Sequence, residues 1–250
     1  MKNSSRIFNE FEEPMVSLFE SWCTLGYLGR IPITEFLMTQ KYKEQVEDYR
    51  KSRDSKQRDK IKYSIESITP SSICKYGQES YFNEYSITNV HTNLICVDID
   101  SKDNQNVNLL EAKHIIGQYC PSLYYGGLSI GGEGIFLIFR ISNPYFHNQH
   151  FNALAYDLNK VFDLNVDKAV KSINSLRVVS YDDNPYYNPD PIPYDKIIDI
   201  ENDSYSAKDV VEKVKALLKG DVKQIKINRS FFIVDYIKSE IDSSKSIANY

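Results

Sequence analysis

The chain has 250 residues, 42% of them apolar and 26% charged, with a formal net charge of −4. That length can bury a sizeable core, and that balance argues against wholesale disorder. The mild negative charge gives no global attraction to nucleic acid or anionic lipid, and no apolar run approaches the ~18 residues of a membrane helix.

The first residues, Met1-Lys2-Asn3-Ser4-Ser5-Arg6, run into acids rather than an apolar signal core, so a cytoplasmic protein with no membrane partner is expected. Residues 1–30 read as an N-terminal segment, 31–200 as an α/β core and 201–250 as a helical C-terminal extension. Thr34 to about Asp54 is polar and helix-prone, with Phe36, Leu37 and Val46 as sparse apolar positions. Within Lys41 to Lys62, nine Lys or Arg stand against five acids, which suits a solvated helix face or a local basic patch for nucleic acid. Ile61 to Ile73 leans towards β structure, broken at Pro70.

Leu94 to Asp100 is a short apolar strand that ends in the turn cluster Ser101-Lys102-Asp103-Asn104. Leu109 to Tyr119 reads as a helix stopped by Pro121. Leu123 to Ser129 and Gly134 to Ile141 read as strands joined by Gly131-Gly132-Glu133. That connection is too short for a helical crossover, so the two strands must be antiparallel neighbours. From His150 to Phe162, Phe151, Leu154, Ala155, Leu158, Val161 and Phe162 form one helical stripe. Leu176 to Tyr181 is a last core strand before Asp182-Asp183-Asn184-Pro185. A capping box, Ser206 to Asp209, predicts a helix that stops at Gly220, and Phe231 to Tyr250 is a further helix or a tail. The cysteines Cys23, Cys74, Cys96 and Cys120 form no CxxC pair, which speaks against structural zinc and for reduced, mostly buried thiols.

Strand alternation puts Asp98 and Asp100 on one face, with Cβ atoms ~6.5–7 Å apart. Both carboxylates could reach one divalent ion, or a pair ~3.5–4 Å apart; the plain alternative is a satisfied polar residue followed by a turn. Ser129-Ile130-Gly131-Gly132-Glu133-Gly134 is a hairpin tip whose backbone N–H groups could converge on an anion, although most such tips are only tight turns. Arg177, embedded in an apolar strand, needs an anionic partner, either a protein carboxylate or a phosphate. Together with Asp167, these groups form a kit for a metal-bound nucleoside triphosphate.

The succession hhhDhD at Leu94 to Asp100, the Ser-x-Gly-Gly-x-Gly hairpin, an amphipathic helix, Val166-Asp167 and Arg177 resembles the archaeo-eukaryotic primase-polymerase superfamily. It is most similar to the N-terminal domain of virulence-protein-E-like replication proteins of the Bacteroides type. Ile68-Thr69-Pro70-Ser71, Leu128 to Phe139, Leu176 to Asp182 and Tyr187-Asn188 also match, so the resemblance spans roughly residues 40–195. It implies an α+β fold with an RRM-like, mostly antiparallel sheet flanked by helices. It also implies nucleotidyl transfer in a phage or mobile-element replication system. Asp98, Asp100 and Asp167 would then be the catalytic carboxylates and ligands of Mg2+ or Mn2+. Ser129, Gly131, Gly132, Gly134 and Arg177 would hold a nucleoside triphosphate. Single-stranded DNA or a primer-template would be the partner, and a separate helicase a further one. The family's histidine near the start of the second hairpin strand is Phe136 here, which cannot donate to a phosphate. Two other readings remain open: an inactive nucleic-acid-binding or adaptor domain of the same fold, and a haloacid-dehalogenase-type phosphatase built on the Asp98-x-Asp100 pair.

Overall fold

Apolar side chains occupy both faces of residues 94–99, so this strand must be covered on two sides. The computed structural model describes residues 11–23, 26–74 and 90–199. Its elements in chain order are β1 (Met15–Phe19), β2 (Tyr27–Pro32), α1 (Ile33–Leu37), α2 (Lys43–Lys51), α3 (Ser55–Tyr63), β3 (Ser67–Thr69), β4 (Ser72–Ile73) and β5 (Val90–His91). Then come β6 (Leu94–Ile99), α4 (Leu109–Tyr119), β7 (Leu123–Leu128), β8 (Ile135–Arg140), α5 (His147–Phe162), β9 (Arg177–Val178) and β10 (Tyr186–Tyr187). The fold is α+β, with antiparallel sheets flanked by helices.

One four-stranded sheet has the order β10-β7-β8-β6 and a second has the order β2-β1-β3-β9. Strands β6 and β7 each run antiparallel to β8 between them, so β6, α4 and β7 form a split βαβ unit. Helices α4 and α5 cover one face of this sheet. There Ile95, Val97 and Ile99 of β6 and Leu137 and Phe139 of β8 meet Ile116 of α4 and Phe151, Leu154 and Leu158 of α5. The other face carries Leu94, Tyr124, Tyr125, Phe136 and Ile138, which pack on Val16, Ile68 and Val178 of the second sheet and on Phe36 and Val46. The central sheet is therefore shared by two cores, and each buried large side chain contributes ~1.5–3 kcal/mol.

Local chemistry sets the helix ends. Asn108 caps α4 by accepting from the Leu110 N–H at 3.2 Å. Helix α5 stops where Asp163 turns left-handed (φ 55°) and its N–H donates to Asn159 O. It begins at His147 rather than His150, because Pro144–Phe146 already form a helical turn that leads into it.

Several other expectations change. The helix-prone stretch from Thr34 divides into α1 and α2, and residues 61–63 close α3 instead of opening a strand. The strand expected over Leu176–Tyr181 pairs only at Arg177–Val178, opposite Ile68 and Ser67, with one further bond from Val179 N–H to Glu66 O at 2.9 Å. Strand β1 and most of β2 fall in the first 30 residues, where short alternation (Met-Val-Ser-Leu-Phe) gave no clear signal. All four cysteines are free thiols, but Cys23 is exposed and only Cys74 is fully buried. The helices expected after Ser206 and after Phe231 lie outside the described residues. Among the described residues, no helix is long and apolar enough to cross a membrane.

Candidate functional site

Asp98 projects from the β6 face that meets the second sheet, and its cross-strand partner is Phe136. From β9 on the facing sheet, Arg177 Nη1 donates to Asp98 Oδ1. The guanidinium lies 4.4 Å from the Phe136 ring centroid, so the ring face and the carboxylate together satisfy a buried cation. The anionic partner that Arg177 requires is thus Asp98.

Asp167 comes to the same place by a different route. Its backbone N–H donates to Asp98 O at 2.9 Å, and its carboxylate caps the turn Lys168–Lys171 by accepting from the Ala169 N–H at 2.9 Å. Asp100 follows the end of β6; its carboxylate is 42% exposed and lies 3.2 Å from Lys102 Nζ. The three acids share one electrostatic field. Burial raises the pKa of Asp98, the Arg177 charge opposes that rise, and the negative charges of Asp100 and Asp167 add to it. Cys96, two residues back on the same face, has its thiol pushed up by burial and by Asp98.

Pro70, Ser71, Cys96, Asp98, Ser172 and Arg177 help line a pocket with a cavity volume of about 10 Å³. That is room for a water or a bare ion. A nucleotide would have to lie outside it, along the surface.

The donor set suits a hard divalent cation, since carboxylate oxygens are the preferred ligands of Mg2+ and Mn2+. A cation would also answer the concentrated negative charge around Asp98. Among the described residues, no three His, Cys, Asp or Glu side chains already close into a ligand group. Ligation by Asp98 would therefore compete with Arg177 for Oδ1.

The glycine hairpin is held from behind. Ser129 N–H donates to Gly134 O at 2.8 Å and Gly132 N–H to Ser129 O at 2.9 Å. Arg50 of α2 donates through Nε to Ile130 O and through Nη2 to Ser129 O, both at 3.2 Å, and to Tyr181 O at 2.6 Å. Gly132 has φ +78°, and a methyl group there would come within 2.8 Å of Arg50 Nε. At Gly134 a methyl group would lie 2.8 Å from Ile99 O and 3.5 Å from the Asp100 Cα. The bend therefore abuts the Asp100 end of the acidic strand. Ser129, Gly131, Gly132 and Gly134 do not line the pocket at Asp98.

Two contributors escaped sequence reasoning. Arg50 was one of nine cations in a basic stretch, and nothing local marked it as the clamp of a hairpin far along the chain. Lys113, on α4, is buried against Asp182, whose carboxylate also accepts from Leu128 N–H at 2.9 Å where β7 ends. Helical spacing puts Lys113 on the face of Ile116, but a lysine there can equally extend its ammonium to solvent, so spacing alone did not mark a buried pair.

No family model, curated protein or solved structure matches the chain. The site's own geometry must therefore carry any reading of function.

Proposed function

We propose that the chain is a primase-polymerase-like domain that carries out metal-dependent nucleotidyl transfer onto a nucleic-acid strand, within a phage or mobile-element replication system. One observation carries this reading. Asp98 meets the Asp167 backbone and the Arg177 side chain, both far along the sequence from it, with the Ser129–Gly134 bend against Asp100. The β6-β8-β7 order, split by an antiparallel strand and backed by α4 and α5, supports an RRM-like core.

In this reading Asp98 and Asp100, with Asp167, hold Mg2+ or Mn2+. When bound, the cation offsets triphosphate charge and polarises the reacting phosphoryl group. Arg177 then exchanges Asp98 for a phosphate oxygen, which its planar fork suits. The Ser129 hydroxyl and those N–H groups of the bend not already bonded within it would serve the remaining phosphate oxygens. Base and sugar lie outside the small pocket, where a single-stranded template or primer can meet them.

A second reading draws on Phe136. It stands directly across from Asp98 and stacks on Arg177, where a donor to phosphate would be expected. An inactive nucleic-acid-binding or replication-adaptor domain would tolerate that arrangement. The phosphatase reading gains nothing from the fold: it needs a helix after each parallel strand, whereas β7 returns directly as antiparallel β8.

The test is incorporation of labelled nucleotides on a single-stranded template with Mg2+ or Mn2+. Asp98→Asn keeps the shape of the side chain and an oxygen that can accept from Arg177, and circular dichroism checks that the fold survives. Incorporation by the native chain that Asp98→Asn abolishes supports the enzyme. No incorporation by the native chain, with single-stranded DNA still bound, supports the adaptor instead.

A further inference from the structure

Helix α3, Ser55–Tyr63, buries no residue. A helix of this length that is polar all round gains little from packing, so its composition needs another explanation. It carries Lys56, Arg58, Lys60 and Lys62 against a single acid, Asp59. Lys56 and Lys60 are exposed, whereas Arg58 is tied down by donating to Tyr49 O at 3.1 Å.

The C-terminal end of α3 is aromatic. Tyr63, 49% exposed, stacks on Trp22, 37% exposed, with centroids 5.8 Å apart and planes 17° from parallel. Lys62 Nζ sits 4.4 Å from the Trp22 ring centroid. The same ammonium lies within the field of the acidic site: its pKa is lowered by burial and by the Arg177 charge, and is raised by Asp59 and Asp98. Lys62 therefore touches the stacked pair and lies within electrostatic reach of Asp98 and Arg177.

We propose that α3 and the Trp22–Tyr63 pair form a binding ridge for single-stranded nucleic acid. Lys56 and Lys60 contact phosphates, a base stacks on Tyr63, and the strand is directed past Lys62 towards Asp98. Exposed rings give every base a surface to stack on, and flanking cations follow the backbone without reading its sequence. A chain of net charge −4 needs such a local cationic surface to hold an anionic strand at all. The inference rests on the reading of the domain as one that handles nucleic acid, but it does not require catalysis.

The test is fluorescence anisotropy of a labelled oligothymidylate with the full chain across a salt series. Tyr63→Ala should weaken binding about ten-fold, and Tyr63→Phe should not. The double variant Lys56→Glu, Lys60→Glu should flatten the salt dependence by about 0.7 log units per log unit of salt for each lysine–phosphate pair removed. Both positions are exposed, so the fold should survive, and thermal unfolding checks this. Native affinity in both variants, or no binding of the oligonucleotide by the native chain, overturns the ridge. The proposed enzyme fails separately, through absence of nucleotide incorporation by a chain that still binds the strand.

Discussion

Asp98 carries a charge that its surroundings oppose on three counts: burial, Asp100 and Asp167. Arg177 holds that charge in place. The folded pKa of Asp98 is raised, so the sign follows directly. As pH climbs above the unfolded value of 3.8, the unfolded chain gives up its proton first, and ionising Asp98 then costs native stability. Arg177→Met keeps the aliphatic bulk beside Phe136 but removes the counter-charge. We expect a loss of about 3–5 kcal/mol at neutral pH, with the deficit shrinking as the pH falls and Asp98 is protonated. Urea unfolding at neutral and at acidic pH checks this; an equal loss at both would mean that packing, not charge, is what Arg177 supplies. The need of Arg177 for an anion was legible from its apolar neighbours. Its choice of Asp98 was not, because that depends on how two sheets face each other.

At the scale of elements, the hairpin β7–β8 was legible as two short apolar runs joined by glycines, and helices α4 and α5 by their 3.6-residue period. Strand β1, five residues long, was hard to see, whereas β3 and β9, three and two residues long, were legible only as parts of the longer β stretches expected over Ile61 to Ile73 and Leu176 to Tyr181. In such short strands alternation has no room to repeat, and long-range pairing decides the structure. The glycines of the bend were legible as a turn, but their setting came from α2. Gly134 shows how closely the bend meets the acidic strand. Gly134→Ala places a methyl group 2.8 Å from Ile99 O, a backbone atom that cannot rotate away. The tip must then lift from Asp100, at a cost of about 1–3 kcal/mol. Nucleotide incorporation should fall at least ten-fold while oligonucleotide binding at α3 persists. Full activity in this variant would separate the bend from the site.

At the scale of the molecule, the sheet of β6, β7, β8 and β10 is the common wall of two cores. Neither helix layer nor second sheet can leave without uncovering one of its apolar faces. We therefore expect one cooperative transition over the described fold. The single tryptophan, Trp22, reports on the β1 side, whereas far-UV circular dichroism also takes in α4 and α5 on the opposite side. The two signals should give coincident urea midpoints. Ile68→Ala on one side and Ile116→Ala on the other should each shift both signals by an amount equivalent to about 2–4 kcal/mol. Separate midpoints would mean that the layers unfold as independent units. The three-layer plan itself was only partly legible: two-sided burial of β6 was foreseeable, but the identity of the second cover was not.

The proposed activity depends on whether the acids gathered at β6 take a cation in place of Arg177. Crystals of the full chain grown with Mn2+ and a non-hydrolysable nucleoside triphosphate would test this directly through anomalous scattering. We predict a manganese peak within about 2.0–2.6 Å of oxygens from Asp98 and Asp100, with the Arg177 guanidinium moved onto phosphate. A triphosphate bound elsewhere, or an Asp98–Arg177 pair left intact with no metal beside it, would contradict the assignment.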